Sequence, residues 1–346
     1  MRSFTSMLTH NGVRLAGDLR RRGGRLAVAS VTAGLLAAAM AAATPAQAAP
    51  AQAAGRPVAH ASCGVTAVVH LHGRVFHVHM LGRFGIVPMR GRKIAANQPA
   101  RHSCRPGTPS SPQVSGALTY GGGAVSVNPV VYLDFWGSQW DSDSNGVEQY
   151  MQSLFSGLGD SSDAWSTSMT QYTDGNGNPV TFSGPVLGGT WVDDSAPAPQ
   201  SASQADLAAE AQNAASFFGV SGPNVDIFVV SPSGTSPDGF PNTGFCAWHD
   251  WNGTTAYTNM PYVLDAGSGC GANSVQDQLD GFSIVGGHEY AEAVTDPVPP
   301  SGWTDQSNGE EIGDLCAWVN LQAISFDTGT FAMQPLWSDN DNGCVQ

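Results

Sequence analysis

The sequence predicts an α/β or α+β protein built on a mixed sheet, and three observations lead there. Buried-strand and amphipathic-helix patterns alternate through residues 115–346, separated by loops rich in Gly, Ser, Asn and Pro. The last long helix pattern, Asp280 to Thr295, carries His288-Glu289-Tyr290-Ala291-Glu292, the spacing of a zincin-like active-site helix. A small basic β-rich segment precedes this acidic region, as a pro-segment would.

The chain opens with a leader. Arg14, Arg20, Arg21, Arg22 and Arg25 are followed by an apolar run from Leu26 to Ala43 and by Ala46-Gln47-Ala48, the small-x-small pattern that a signal peptidase reads. Residues 1–48 are therefore expected to be a signal peptide, cut after Ala48. The apolar run is short of the roughly 20 residues needed to span a bilayer, so no membrane anchor is expected after its removal. Residues 49–62, rich in Ala, Pro and Gln, read as a spacer.

Residues 63–105 form a basic unit bounded by Cys63 and Cys104. Its centre, from Val68 to His79, alternates with period two around Gly73, which predicts a hairpin with His70, His72, His77 and His79 sharing one face. That face is read as an exposed polar face rather than a metal site. Residues 106–114 are a Pro- and Ser-containing linker.

The main domain, 115–346, is predicted to contain a buried strand over Val127 to Phe135, a helix over Gly146 to Leu158 and a helix over Asp206 to Phe218. A second buried strand over Val225 to Val230 and the helix from Asp280 to Thr295 follow. No internal repeat is visible.

Charge is distributed unevenly. All 14 Lys and Arg lie at or before Arg105, whereas 27 of the 28 Asp and Glu lie beyond it. A surface this negative excludes nucleic acid as a partner, because phosphate neutralisation needs Lys and Arg. It also leaves the main domain without a site for trypsin-like proteases. Basic pro-segment over acidic domain is the charge arrangement of an acid-activated zymogen, which makes an acid carboxyl peptidase one rival reading. The six cysteines fit three disulfides of an exported chain, paired locally as Cys63–Cys104, Cys246–Cys270 and Cys316–Cys344.

Only two histidines lie beyond Arg105, His249 and His288. His288 and Glu292, four apart on a helix, reach a common point, and a carboxylate oxygen binds zinc at about the same distance as an imidazole nitrogen. Glu289 is then the general base. Glu311 lies nineteen residues past Glu292, which resembles the gluzincin arrangement, and that resemblance implies Glu311 as the third ligand and Asp314 as the residue that orients His288 from behind. His249 is the alternative ligand or a transition-state hydrogen-bond donor, and Asp296 a further ligand candidate. Zinc is the expected ion; calcium fits less well, since a His ligand is unusual for it. Ser231 to Ser236 reads as a turn rather than a nucleophile loop.

Several segments together resemble the EXORDIUM-like (phosphate-induced) extracellular family. They are Val131-Tyr132-Leu133-Asp134-Phe135-Trp136-Gly137, Asp226 to Val230, Gly244-Phe245-Cys246-Ala247-Trp248-His249, and Pro335-Leu336-Trp337 to Cys344. The resemblance covers roughly residues 120–346. Bacterial-type relatives are similar in His288-Glu289-x-x-Glu292, Thr295-Asp296-Pro297 and Glu311-Ile312-Gly313-Asp314-Leu315-Cys316. It implies an extracellular role without supplying a reaction.

The leading expectation is a secreted, monomeric zinc-dependent peptidase made as a pro-protein and acting on extracellular protein or peptide. The second is a non-enzymatic binder of cell-wall polysaccharide. All nine Trp lie beyond Arg105, Trp136, Trp140, Trp248 and Trp251 among them, and most are expected in the core.

Overall fold

A computed structural model describes residues 64–92 and 117–346. The leader, the spacer, the 106–114 linker and the Cys63–Cys104 pair lie outside the described residues. The hairpin β1 (Val65–Leu71) and β2 (Arg74–Met80) comes first, followed by β3 (Phe84–Pro88), β4 (Thr119–Tyr120) and β5 (Val130–Trp136). Next come α1 (Val147–Gly157), β6 (Leu187–Asp193), α2 (Gln204–Phe218), β7 (Gly222–Val230), β8 (Phe245–Trp251) and β9 (Thr255–Met260). Helix α3 (Asp280–Thr295) and β10 (Trp303–Thr304) precede two hairpins, β11 (Gln322–Phe326) with β12 (Gly329–Met333) and β13 (Leu336–Ser338) with β14 (Gly343–Val345).

The architecture is mixed, as the alternation of patterns predicts. Six strands form the main sheet in the order β3-β8-β9-β7-β5-β6. Strands β6, β5, β7 and β9 run parallel, while β8 and β3 are added antiparallel at one side. The central strands are covered on both faces, which is why VVYLDFW and VDIFVV read as near-continuous apolar runs. Leu133 pairs with Phe228, so both point to one face. There Phe155 of α1 packs edge-on against Phe228 and Tyr290 of α3, with ring centroids 4.8 and 6.0 Å away. Helices α1 and α3 therefore share that face. Asp134, one residue on, points the other way, towards α2.

Helix α2 starts at a capping box, in which Ser203 and Asp206 satisfy each other's backbone N–H groups, and stops at Gly219 in the left-handed region. Its outer side carries the β1–β2 hairpin through Val69, Phe76 and Val78, all buried. Helix α3 is buried along its whole length, so its polar residues lie inside the protein along with its apolar ones. Of the two glycines before His288, Gly287 permits close packing: a β-carbon there would stand 2.6 Å from Met333 Cε, whereas Gly286 has ordinary space.

The structure alters two details of the N-terminal reading. Strand pairing puts His70, His77 and His79 on one face, but His72 sits in the turn with φ 49° and leaves it. The turn geometry carries its ring instead to Asp193 and Glu210, 3.1 and 3.2 Å away. Strand β3, from the basic region, is an integral strand of the main sheet, because its backbone completes the hydrogen-bonding edge of β8. The disulfides Cys246–Cys270 and Cys316–Cys344 form as expected. Among the described residues no helix is long and apolar enough to cross a membrane.

Candidate metal centre

Three pieces of chain bring the polar residues together. Strand β8 aims His249 at the face of the sheet on which α3 lies, since it pairs with Thr258, which pairs in turn with Phe228. Helix α3 contributes His288, Glu289 and Glu292. The loop after β10 adds Glu311 and Asp314, and the Cys316–Cys344 disulfide ties it to the C-terminal hairpin. Gly313 lets that loop approach: a β-carbon on it would lie 2.8 Å from the His288 ring. His249, His288, Glu289 and Glu292 are wholly buried and Glu311 nearly so.

Two groups of donor atoms result, and they share Glu292. In one, His288 Nε2 lies 2.8 Å from Glu292 Oε1 and 3.5 Å from Asp314 Oδ1. In the other, His249 Nδ1 lies 3.4 Å from Glu289 Oε2 and 3.7 Å from Glu292 Oε2. The outward nitrogens fix the tautomers. His249 Nε2 is 3.2 Å from the Asp296 carbonyl, an acceptor, so that nitrogen carries the proton and Nδ1 turns a lone pair towards two carboxylates. His288 Nδ1 is 3.2 Å from Gln334 Oε1, whose orientation is set because Gln334 Nε2 donates to the Gly313 carbonyl at 2.8 Å. His288 Nε2 therefore faces inward. Despite its closeness to Glu292 it makes no hydrogen bond of acceptable geometry, and neither does His249 Nδ1, either oxygen of Glu289 or Glu292 Oε2.

Such a cluster is costly to bury. No Lys or Arg exists beyond Arg105, and Arg83, the basic side chain near β3, is bound to Asp238. Burial pushes Glu292 and Asp296 up to about 7 and holds Glu289 and Glu311 well above the usual carboxylate range, with neighbouring carboxylates adding to it for Glu289, Glu292 and Glu311. Burial pushes His249 down to about 3, so its imidazole is neutral. Burial also acts downward on His288, but Glu292 and Asp314 outweigh it and hold its proton well above the ordinary range.

The sequence-predicted residues converge, with two changes of place. Glu311, expected as third ligand, joins neither donor group; its Oε2 lies 3.6 Å from His249 Nε2, and the nearby carboxylates of Glu292 and Asp296 help burial to hold its proton. Asp314, expected behind His288, meets the inward Nε2 instead, because its backbone N–H is drawn to Glu292 Oε1 at 3.0 Å. The orienting position is held by Gln334, a lone Gln between two hairpins that no motif singled out. Asp296 serves through its carbonyl, and its Oδ1 accepts from the Gly302 N–H at 2.7 Å. Ser233, in the loop read as a turn, hydrogen-bonds Asp265 and has no part in the cluster.

Compared with protein-family models, with curated proteins and with solved structures, the chain matches none.

Proposed function

We propose that the chain is an exported zinc-dependent hydrolase acting on peptide bonds, with the ion held by His288, Glu292 and Asp314. One observation carries the reading: two buried imidazoles use their outer nitrogens on oxygen acceptors and turn their inner nitrogens, neither of which makes a hydrogen bond, towards the carboxylates of Glu289, Glu292 and Asp314. A divalent cation is what such convergent acceptors suit, since buried charges are stable only when paired or coordinated. Imidazole nitrogen with carboxylate oxygen is a zinc donor set, and it disfavours calcium. When bound, zinc polarises a carbonyl and acidifies water.

The remaining work belongs to the side chains. Glu289 accepts the proton of the attacking water and returns it to the leaving amine. His249, with its own proton committed to the Asp296 carbonyl, offers Nδ1 to the protonated Glu289 and so keeps that proton in place. Gln334 holds the His288 ring by its Nδ1–H. The leader pattern and the resemblance to EXORDIUM-like proteins support an extracellular setting.

The deciding experiment is elemental analysis of the purified chain beside a His288→Ala variant. About one zinc per chain, lost in the variant, is the expected result. No zinc in either chain overturns the reading and leaves α3 a structural helix.

A second reading, binding of wall polysaccharide, is favoured by Trp191, half-buried and stacked on the exposed Phe217 with centroids 4.3 Å apart. Trp136, Trp140 and Trp248 are buried and Trp251 half-buried, so they give it no support. Retention on insoluble glycan, lost on Trp191→Ala, is its test. A chelator-insensitive activity with an optimum well below neutrality would instead point to carboxyl catalysis by the clustered acids.

A further inference from the structure

Strand β8 is the last strand that the main domain itself contributes on this side of the sheet, and its outer edge is occupied by β3. The occupant comes from the basic stretch before Arg105. It pairs antiparallel, with Phe84 opposite His249, Ile86 opposite Trp248 and Val87 opposite Ala247. The register breaks at Gly85, which is buried, adopts φ +47° and lies directly against His249 and Glu292. Any side chain at that position would collide with His249 Nδ1 and the Glu292 carboxylate, so only backbone fits between β3 and the cluster.

The rest of the segment is clasped at its ends. Arg83 makes a two-pronged pair with Asp238, and Trp318 Nε1 donates to the Pro88 carbonyl at 2.7 Å. The Met89 N–H reaches the Gly244 carbonyl at 2.9 Å, continuing the pairing past the strand. Side chains elsewhere on β3 alternate between buried and half-buried. Main-chain pairing for affinity, with side-chain positions read by the surface below, is how a sheet edge recognises an extended peptide. An unpaired edge is otherwise a liability that proteins cover.

We propose that the edge of β8 is a strand-addition site for an extended polypeptide that presents glycine to the cluster, occupied in this chain by its own Phe84–Pro88, which shuts the centre until displaced. The inference deepens the hydrolase reading and rests on it for what happens to a bound peptide, though not for binding itself. Every Lys and Arg precedes residue 106, so an outside protease cutting at Arg83, Arg90 or Arg92 severs the occupant and leaves 106–346 whole.

The test uses the full chain, a Gly85→Val full chain, and a fluorescent synthetic peptide with the sequence of residues 82–90. Valine should expel β3, seen as faster hydrogen exchange across Phe245–Trp251. The peptide should then bind the variant at least tenfold more tightly than the wild type and restore that protection, while a peptide carrying Val for Gly85 should not bind. Equal binding to both chains, unchanged exchange in the variant, or freed β8 that ignores the peptide would each overturn the proposal. Should Gly85→Val not fold, Arg83→Glu, which sets like charge against Asp238 outside the cluster, goes through the same readouts with the same outcomes. Peptide binding and hydrogen exchange are measured in chelator, and zinc uptake separately, by elemental analysis of chain never exposed to chelator. Peptide binding without zinc uptake ends the hydrolase reading and keeps the strand-addition site; zinc uptake without peptide binding does the reverse.

Discussion

Gln334 holds His288 from behind: its Oε1 lies 3.2 Å from Nδ1 while its own amide nitrogen donates to the Gly313 carbonyl at 2.8 Å. One side chain thus ties the helix to the loop that carries Asp314. Replacing it with Leu leaves the buried Nδ1–H without an acceptor and frees the ring to turn. Zinc affinity, measured by chelator competition, should fall about 10- to 100-fold, in the range seen for such supporting partners. Gln334→Glu, which keeps the acceptor, should lose less.

Glu289 separates base from ligand. Glu289→Gln keeps the volume and removes the proton acceptor, so peptide hydrolysis should fall by about 10²-fold or more while zinc content stays at the wild-type level. A parallel loss of zinc would move Glu289 into the ion's donor set with His249.

Asp226 predicts a pH dependence with the less familiar sign. Burial pushes it up to about 8, against the help of the Thr258 hydroxyl. Its folded form keeps a proton that the unfolded chain gives up near pH 4, so its contribution turns unfavourable as pH rises from about 4 to about 8 and is constant beyond. Asp226→Asn should therefore stabilise the chain progressively over that window, read as a rising difference in urea midpoint, and change little below pH 4.

His72 predicts the opposite kind of window. Its hydrogen bond with Glu210 raises its pKa despite partial burial, and the charges of Glu210 and Asp193 add to this. The pairing is fully favourable below the unfolded value of about 6.5 and is lost as pH rises through the folded value. The stability advantage of wild type over His72→Gln should be constant in mild acid and shrink on the alkaline side.

Much of this molecule is legible in its residues. Helix α3 was readable from Asp280 to Thr295, because its length and its His288-to-Glu292 spacing are properties of the local chain. Strands β5 and β7 announced themselves as apolar runs, since covered parallel strands need apolar side chains on both faces. The two described disulfides followed from neighbouring cysteines. The absence of any Lys or Arg beyond Arg105 already implied that a buried acidic cluster there would lack a basic side-chain partner from its own domain.

Tertiary structure decided the rest. Which carboxylate meets which imidazole depends on how the 305–316 loop folds back, and this set Asp314 beside His288 Nε2 and Glu311 beside His249 Nε2, in place of the order that the likeness to gluzincins implies. Gln334 could not be singled out because a hydrogen bond made across 46 residues leaves no local pattern. The same holds for Gly85. In sequence it is one glycine in a basic segment, and only strand pairing across more than 150 residues lays its backbone over His249. Local periodicity records what each element must be, whereas contacts between distant elements depend on the packing that brings them together.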